Sequence, residues 1–168
     1  MYKPRGFNSI EEHDEAIFKR WNSTVSDNDI VYILGDLMLG DTEEGMKKLN
    51  ELCGNFHIIL GNHDTDTRVK EYLHCNKVVD VLDAKKIKYN GYSFFLCHYP
   101  TLTANLEKEH LKQCTINLFG HTHQKTNFYN DIPFMYHVGM DSHDCYPIEL
   151  DQIIEDCKAK VKECKEFL

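Results

Sequence analysis

The sequence predicts an α/β protein, a mixed sheet or two stacked sheets covered by helices. Three observations lead there. The first half alternates amphipathic helical patterns with short apolar runs. From Val78 the rhythm changes to strand pairs joined by tight turns. The chain then closes on a long apolar stripe at helical spacing.

The elements follow in order. A capping box, Ser9-x-x-Glu12, opens a first helix. Ile10, Ile17, Phe18, Trp21 and Val25 share one of its faces. Asp27-Asn28-Asp29 makes a turn, and Ile30 to Leu34 is nearly all apolar, as a strand buried on both faces would be. In the second helix Met46, Leu49 and Leu52 point inward, and Gly54 ends it. Phe56 to Leu60 reads as another buried strand, and Val69, Tyr72 and Leu73 mark a short third helix. Lys85 to Tyr89 and Tyr92 to Cys97 flank Asn90-Gly91, a type I′ hairpin signal. Thr115 to Phe119 and Phe134 to Val138 are further strands. Leu150, Ile153, Ile154, Cys157, Val161 and Cys164 form the stripe of the final helix.

Composition narrows the function classes. At 168 residues and 42% hydrophobic, residues 1–168 suit one globular domain. No apolar run approaches the ~20 residues that span a bilayer. The first residues lack the apolar core of a secretory signal, so a cytoplasmic protein without a membrane partner is expected. Seven cysteines without C-x-x-C spacing argue against a disulfide framework or a zinc ribbon. A net charge of -8 counts against an extended nucleic-acid partner.

Four apolar runs end alike. Ile30–Leu34 runs into Gly35-Asp36, Phe56–Leu60 into Gly61-Asn62-His63-Asp64, Tyr92–Cys97 into His98, and Thr115–Phe119 into Gly120-His121-Thr122-His123. Metal-type ligands thus collect at the carboxyl ends of strands, where α/β sheets bind their ligands. The glycines before Asp36, Asn62 and His121 allow sharp turns and close backbone approach. A carboxylate, an amide oxygen and imidazoles, without thiolate, suit Mn²⁺, Fe, Zn²⁺ or Ni²⁺. Asp36 has two oxygens and could bridge a pair of metals, which would activate a shared hydroxide and clamp phosphoryl oxygens.

G-D, then G-N-H-D, then H, then G-H-T-H, each after a strand, resembles the calcineurin-like metallophosphoesterase superfamily. Ser9 to Asn22, with Trp21-Asn22, and Val138-Gly139-Met140-Asp141 followed by Pro147-Ile148 resemble its small bacterial and phage members. The resemblance implies a four-layer α/β/β/α sandwich and a metal-dependent hydrolase. Its substrate would be a small phosphomonoester or phosphodiester. By position, Asp36 would bridge two metals, Asn62, His98 and His121 would complete one metal site, and His123 would belong to the other. His63 would protonate the leaving oxygen, with Asp64 orienting its imidazole. Manganese is the favoured cofactor.

The resemblance has a gap. The family opens with a strand ending in D-x-H, and residues 1–8 contain neither His nor Asp. The chain therefore reads as N-terminally short and lacking the family's first strand. The second metal would keep only Asp36 and His123, fewer than the three ligands of a catalytic zinc. One firmly held metal and reduced turnover are the expectation. An unpaired strand edge gives a reason to expect a homodimer. The competing function is a scaffold or binding protein on the same fold with a degenerate metal site; a nuclease fits the acidic balance poorly.

Other polar residues read as structural. His13, His74 and His110 are expected to be solvated, and His57 to be a packed or edge residue. His137 and His143 lie near a strand end but are expected to serve packing, as are Tyr72, Tyr89 and Tyr92. Arg68 reads as an exposed first-turn residue, and Glu107 to Lys112 as a solvated charge run.

Overall fold

The computed structural model describes residues 2–103 and 110–166. A parallel sheet runs in the order β1 (Ile30–Ile33), β2 (Asn55–Ile59), β3 (Val78–Leu82). A second sheet runs β4 (Ala84–Tyr89), β5 (Tyr92–Cys97), β6 (Thr115–Phe119), β7 (Met135–His137). In it β4 and β5 form an antiparallel hairpin, and β5, β6 and β7 are parallel. The helices are α1 (Ile10–Thr24), α2 (Thr42–Glu51), α3 (Asp66–His74) and α4 (Leu150–Glu166).

Side-chain alternation along β2 shows how the layers stack. Phe56 and Ile58 face one way and join Trp21 of α1, Leu49 of α2 and Tyr72 of α3 in one core. Ile59 faces the other way and joins Phe94, Leu96, Ile116, Leu118 and Tyr136 of the second sheet. Ile153, Ile154 and Cys157 of α4 extend that second core. Helices, sheet, sheet, helix is the four-layer α/β/β/α sandwich. Among the described residues no strand precedes β1.

Local signals explain most boundaries. Ser9 Oγ accepts the Glu12 N–H at 3.1 Å, the first half of the capping box. The return bond shifts by one residue, since Glu12 accepts the Asn8 N–H at 2.8 Å instead of that of Ser9. Trp21 and Asn22 fasten α1 to the turn before β2: the indole donates to the Cys53 carbonyl at 2.9 Å, and Asn22 Oδ1 accepts the Cys53 N–H at 2.8 Å. Asn90 and Gly91 take φ of 49° and 81°, as a type I′ turn requires.

Several expectations are corrected. β1 is not buried on both faces; it lies at the sheet edge, and Ile30 is 63% exposed. Ile10, expected on the shared apolar face of α1, is exposed, as is Leu73 of α3. β3 forms from Val78–Leu82 alone, a strand that periodicity did not separate from its surroundings. None of the seven cysteines is in a disulfide. Of the charge run Glu107 to Lys112, residues 107–109 lie outside the described residues. No described helix is long and apolar enough to cross a membrane.

Candidate metal centre

The site lies where the carboxyl ends of β1 and β2 meet those of β5 and β6. His98, directly after β5, is buried and joins the two sheets. Its Nδ1 lies 2.7 Å from the Leu34 carbonyl just past β1. A carbonyl only accepts, so Nδ1 carries the hydrogen and Nε2 is left with a bare lone pair. The carbonyl of His98 in turn accepts the Gly120 N–H at 3.0 Å, tying in β6.

Around that nitrogen stand three more atoms able to ligate a cation. Asn62 Oδ1 is 3.0 Å away, His121 Nδ1 3.1 Å and Asp36 Oδ2 3.4 Å. Asp36, His98 and His121 offer ligand atoms that all lie within 4.8 Å of one another. With both imidazoles neutral and the His121 hydrogen on Nε2, these atoms all present lone pairs to one point, an arrangement a cation relieves. The donor set is mixed oxygen and nitrogen, and His98 is fixed through its other nitrogen as metal-binding histidines commonly are. These residues fit a divalent cation.

Two glycines make the convergence possible. A Cβ on Gly35, which has φ of 87°, would stand 2.5 Å from His98 Nδ1 and 2.6 Å from the Gly61 nitrogen. A Cβ on Gly61 would stand 2.3 Å from Asp36 Oδ1. Only bare backbone lets the two turns close over His98. Asp36, His121 and His123 hold φ of 54°, 58° and 50°. Left-handed backbone at non-glycine residues costs of order 1–3 kcal/mol each and persists where surroundings over-determine it.

His63 and Asp64 are placed differently from each other. The His63 N–H donates to Asp36 Oδ1 at 2.8 Å, and the residue is exposed beside the metal group. The pairing of Asp64 with the His63 ring, implied by the resemblance, is not made. Asp64 Oδ2 accepts the N–H groups of Asp36 and Gly61, both at 2.8 Å, and Oδ1 accepts the Tyr72 hydroxyl at 2.7 Å. Burial and the bond to Asp64 push the Tyr72 hydroxyl pKa up, so it stays a donor. Asp64 therefore clamps the G-D turn to the G-N-H-D turn. Arg68 reinforces the same junction from α3, donating to the carbonyls of His63 at 2.6 Å and Gly40 at 3.0 Å. It is half-buried, not the free surface group expected.

His123 stands outside the convergent group. Its Nδ1 lies 3.0 Å from Asp141 Oδ2. Asp141 is gripped by Arg5, whose Nε and Nη2 donate to its two oxygens, both at 2.9 Å. Arg5 Nη1 also donates to His13 Nε2 at 2.9 Å, and His13 Nδ1 meets Asp14 at 2.9 Å. His13 is thus buried in a polar network, not solvated. Burial opposes ionisation of Asp141, but the hydrogen bonds from Arg5 and His123 outweigh it and hold its carboxyl well below the usual range. Sequence reasoning did not assign Arg5, His13 or Asp141 to this network; nothing in their local sequence marks the pairing.

His137 and His143 are held by contacts within β7 and the segment that follows it. His137 Nδ1 pairs with Ser142 Oγ at 2.8 Å, and His143 stacks on Tyr136. His57 is packed between the sheets, stacked on Tyr32 and bonded to Asp80 and Lys85.

Comparison with known proteins agrees with this geometry. The sequence model of the calcineurin-like phosphoesterase superfamily domain matches residues 12–139. An uncharacterized protein of Methanocaldococcus jannaschii is 31% identical over 167 residues, covering 92% of this chain and 80% of its own. The Gene 66 protein of Mycobacterium phage D29 is 27% identical over 173 residues, covering 86% and 84%. The crystal structure of a protein of unknown function from Aquifex aeolicus superposes with a TM-score of 0.62 at 21% identity, covering 88% of this chain and 86% of that one, and so shares the fold. With the matched domain spanning the G-D, G-N-H-D, His98 and G-H-T-H turns, the chain belongs to the calcineurin-like phosphoesterase superfamily.

Proposed function

We propose that the chain is a metal-dependent phosphoesterase acting on a small phosphomonoester or phosphodiester. The observation that carries this reading is the set of acceptor atoms from Asp36, Asn62 and His121 around the bare Nε2 of His98. A divalent cation held there, manganese by preference, would polarise the phosphoryl group and make water nucleophilic at neutral pH. The residues of the chain do the rest. Asp36, fixed by its bond to the His63 N–H, sets the distance between the metal group and the G-N-H-D turn. His63 then stands beside the substrate and gives its proton to the leaving oxygen. Asp64, Tyr72 and Arg68 hold that turn still.

The second cation of the family fits this chain poorly. Among the described residues only Asp36, His98 and His121 form a cluster of three ligand groups, and His123 is bonded to Asp141. One cation per chain is therefore the stoichiometry we assign. Calorimetric titration with Mn²⁺ should give one equivalent; two equivalents near saturation would contradict it. The function itself is tested by Mn²⁺-dependent hydrolysis of bis-p-nitrophenyl phosphate. His63→Ala should lower the rate by roughly 10²–10⁴-fold, the worth of a general acid, with metal content unchanged. Equal rates in the two proteins would remove His63 from the mechanism. The Arg5–Asp141 pair favours the scaffold reading only if no hydrolysis is found with the metal bound.

A further inference from the structure

Tyr99 follows His98 and is 44% exposed. Its ring is not loose. It stands edge-on to His98, with centroids 4.9 Å apart, and to His121, with centroids 4.8 Å apart. Both imidazoles belong to the metal group, so the phenol forms part of its wall.

The turn that carries Tyr99 is pinned from below. Thr101 donates its N–H to Asn117 Oδ1 at 2.8 Å, and its hydroxyl bonds the Tyr99 carbonyl at 3.1 Å. Asn117 sits in the middle of β6 and is fully buried. A buried amide is costly unless bonded, and here its nitrogen also donates to the carbonyls of Phe95 and Leu118. An apolar residue would pack in that strand as well, but it would release the turn. Leu39 and Leu102, on the loops leaving Asp36 and His98, are 54% and 71% exposed. One aromatic ring of the site's wall is thus held in place by its two imidazole neighbours and by the pinned turn below it.

We infer that Tyr99 is a specificity-determining residue: its ring stacks on the organic half of the substrate, which is a flat aromatic group such as a nucleobase or an aryl ring. The inference rests on the phosphoesterase reading and names the substrate class for it. Stacking needs only a π-face, so it would favour flat esters over aliphatic ones without reading base identity.

The test is calorimetric binding to the Mn²⁺-loaded chain of adenosine 5′-monophosphate, phenyl phosphate, glycerol 3-phosphate and inorganic phosphate. At least one flat ester should bind roughly tenfold tighter than glycerol 3-phosphate. A gain for adenosine 5′-monophosphate alone narrows the class to nucleotides. Tyr99→Ala should bring that affinity ratio close to one, and Tyr99→Phe should keep it. Equal binding of flat and aliphatic esters in the wild type would overturn the inference, as would a ratio unchanged by Tyr99→Ala. Loss of the ratio in Tyr99→Phe would assign the effect to the hydroxyl and overturn stacking. In each of those cases phosphate still binds and the phosphoesterase reading stands. If neither inorganic phosphate nor any ester binds, both readings fall.

Discussion

In the Asp36–Asn62–His98–His121 group, oxygen and nitrogen ligand atoms converge, and among the described residues no lysine or arginine bonds to them. In the Arg5–Asp141–His123 group, each acceptor faces a donor, and a guanidinium fills the centre. Both lie at the carboxyl ends of strands and both mix histidine with aspartate. The first is built to receive a positive charge from outside. The second already holds one, supplied by a side chain from the far end of the sequence. A cluster of histidines and carboxylates therefore does not by itself imply a metal; what matters is whether its lone pairs already have hydrogens to accept.

That contrast can be broken experimentally, and the largest effect should come from His98. His98→Ala removes a buried ligand and the link between the sheets. It should weaken Mn²⁺ binding by more than the roughly 100-fold that changes in the outer shell cost, and abolish hydrolysis. Titration calorimetry reads the first and initial rates the second. Retained affinity would mean that the convergence at His98 is not the metal site.

Arg5→Ala probes the other cluster. Arg5 and Asp141 are 13% and 8% exposed in their side chains, so removal leaves a buried carboxylate with His123 as its remaining partner. Breaking such a pair costs about 3 kcal/mol of unfolding free energy at neutral pH. Chemical denaturation measures it. Mn²⁺ affinity should stay close to that of the wild type, because Arg5 bonds none of the four ligands. A coupled loss of metal binding would show that the two clusters act as one unit.

The third probe is pH. Burial, followed by the nearby His143, pushes the His137 imidazole down to about 4 from 6.5. A histidine held neutral in the fold contributes stability that is complete above the unfolded value and is lost as pH falls toward the folded one. Between pH 6.5 and 4 this loss amounts to up to about 3 kcal/mol, approached only at the acid end of the window. Asp141, whose carboxyl is depressed, contributes its loss only below the ordinary carboxylate range, under about pH 4. Thermal denaturation across this range should separate the two, and His137→Asn should flatten the upper limb alone. An unchanged limb would place its cause elsewhere.

Much of the metal group is legible in the sequence. Asp36, Asn62, His98 and His121 each follow a short apolar run, and a glycine marks three of the four turns. Such a turn needs only local backbone freedom, so sequence displays it. The parts that were not legible depend on distant chain segments. Arg5 and Asp141 are 136 positions apart. The resemblance implied a pair between Asp64 and the His63 ring; Tyr72, in the last turn of α3, and the Asp36 N–H claim its oxygens instead. Tyr99 looks like any tyrosine until its two imidazole neighbours are known.

The sequence by itself determined the helix–strand alternation, the hairpin at Asn90-Gly91, the capped first helix and the four metal-type ligands with their glycines. Periodicity and turn chemistry are short-range, and each residue carries its own share of them. The tertiary structure alone decided that β1 is an edge strand, that Asp64 clamps two turns, and that a guanidinium occupies the His123 side of the site. Those outcomes follow from which sheet edges and strand ends meet, a matter of long-range packing that no local pattern encodes. The pocket of lone pairs at His98 needs both: the motif to choose its atoms, and the meeting of two sheets to bring them within reach of a single ion.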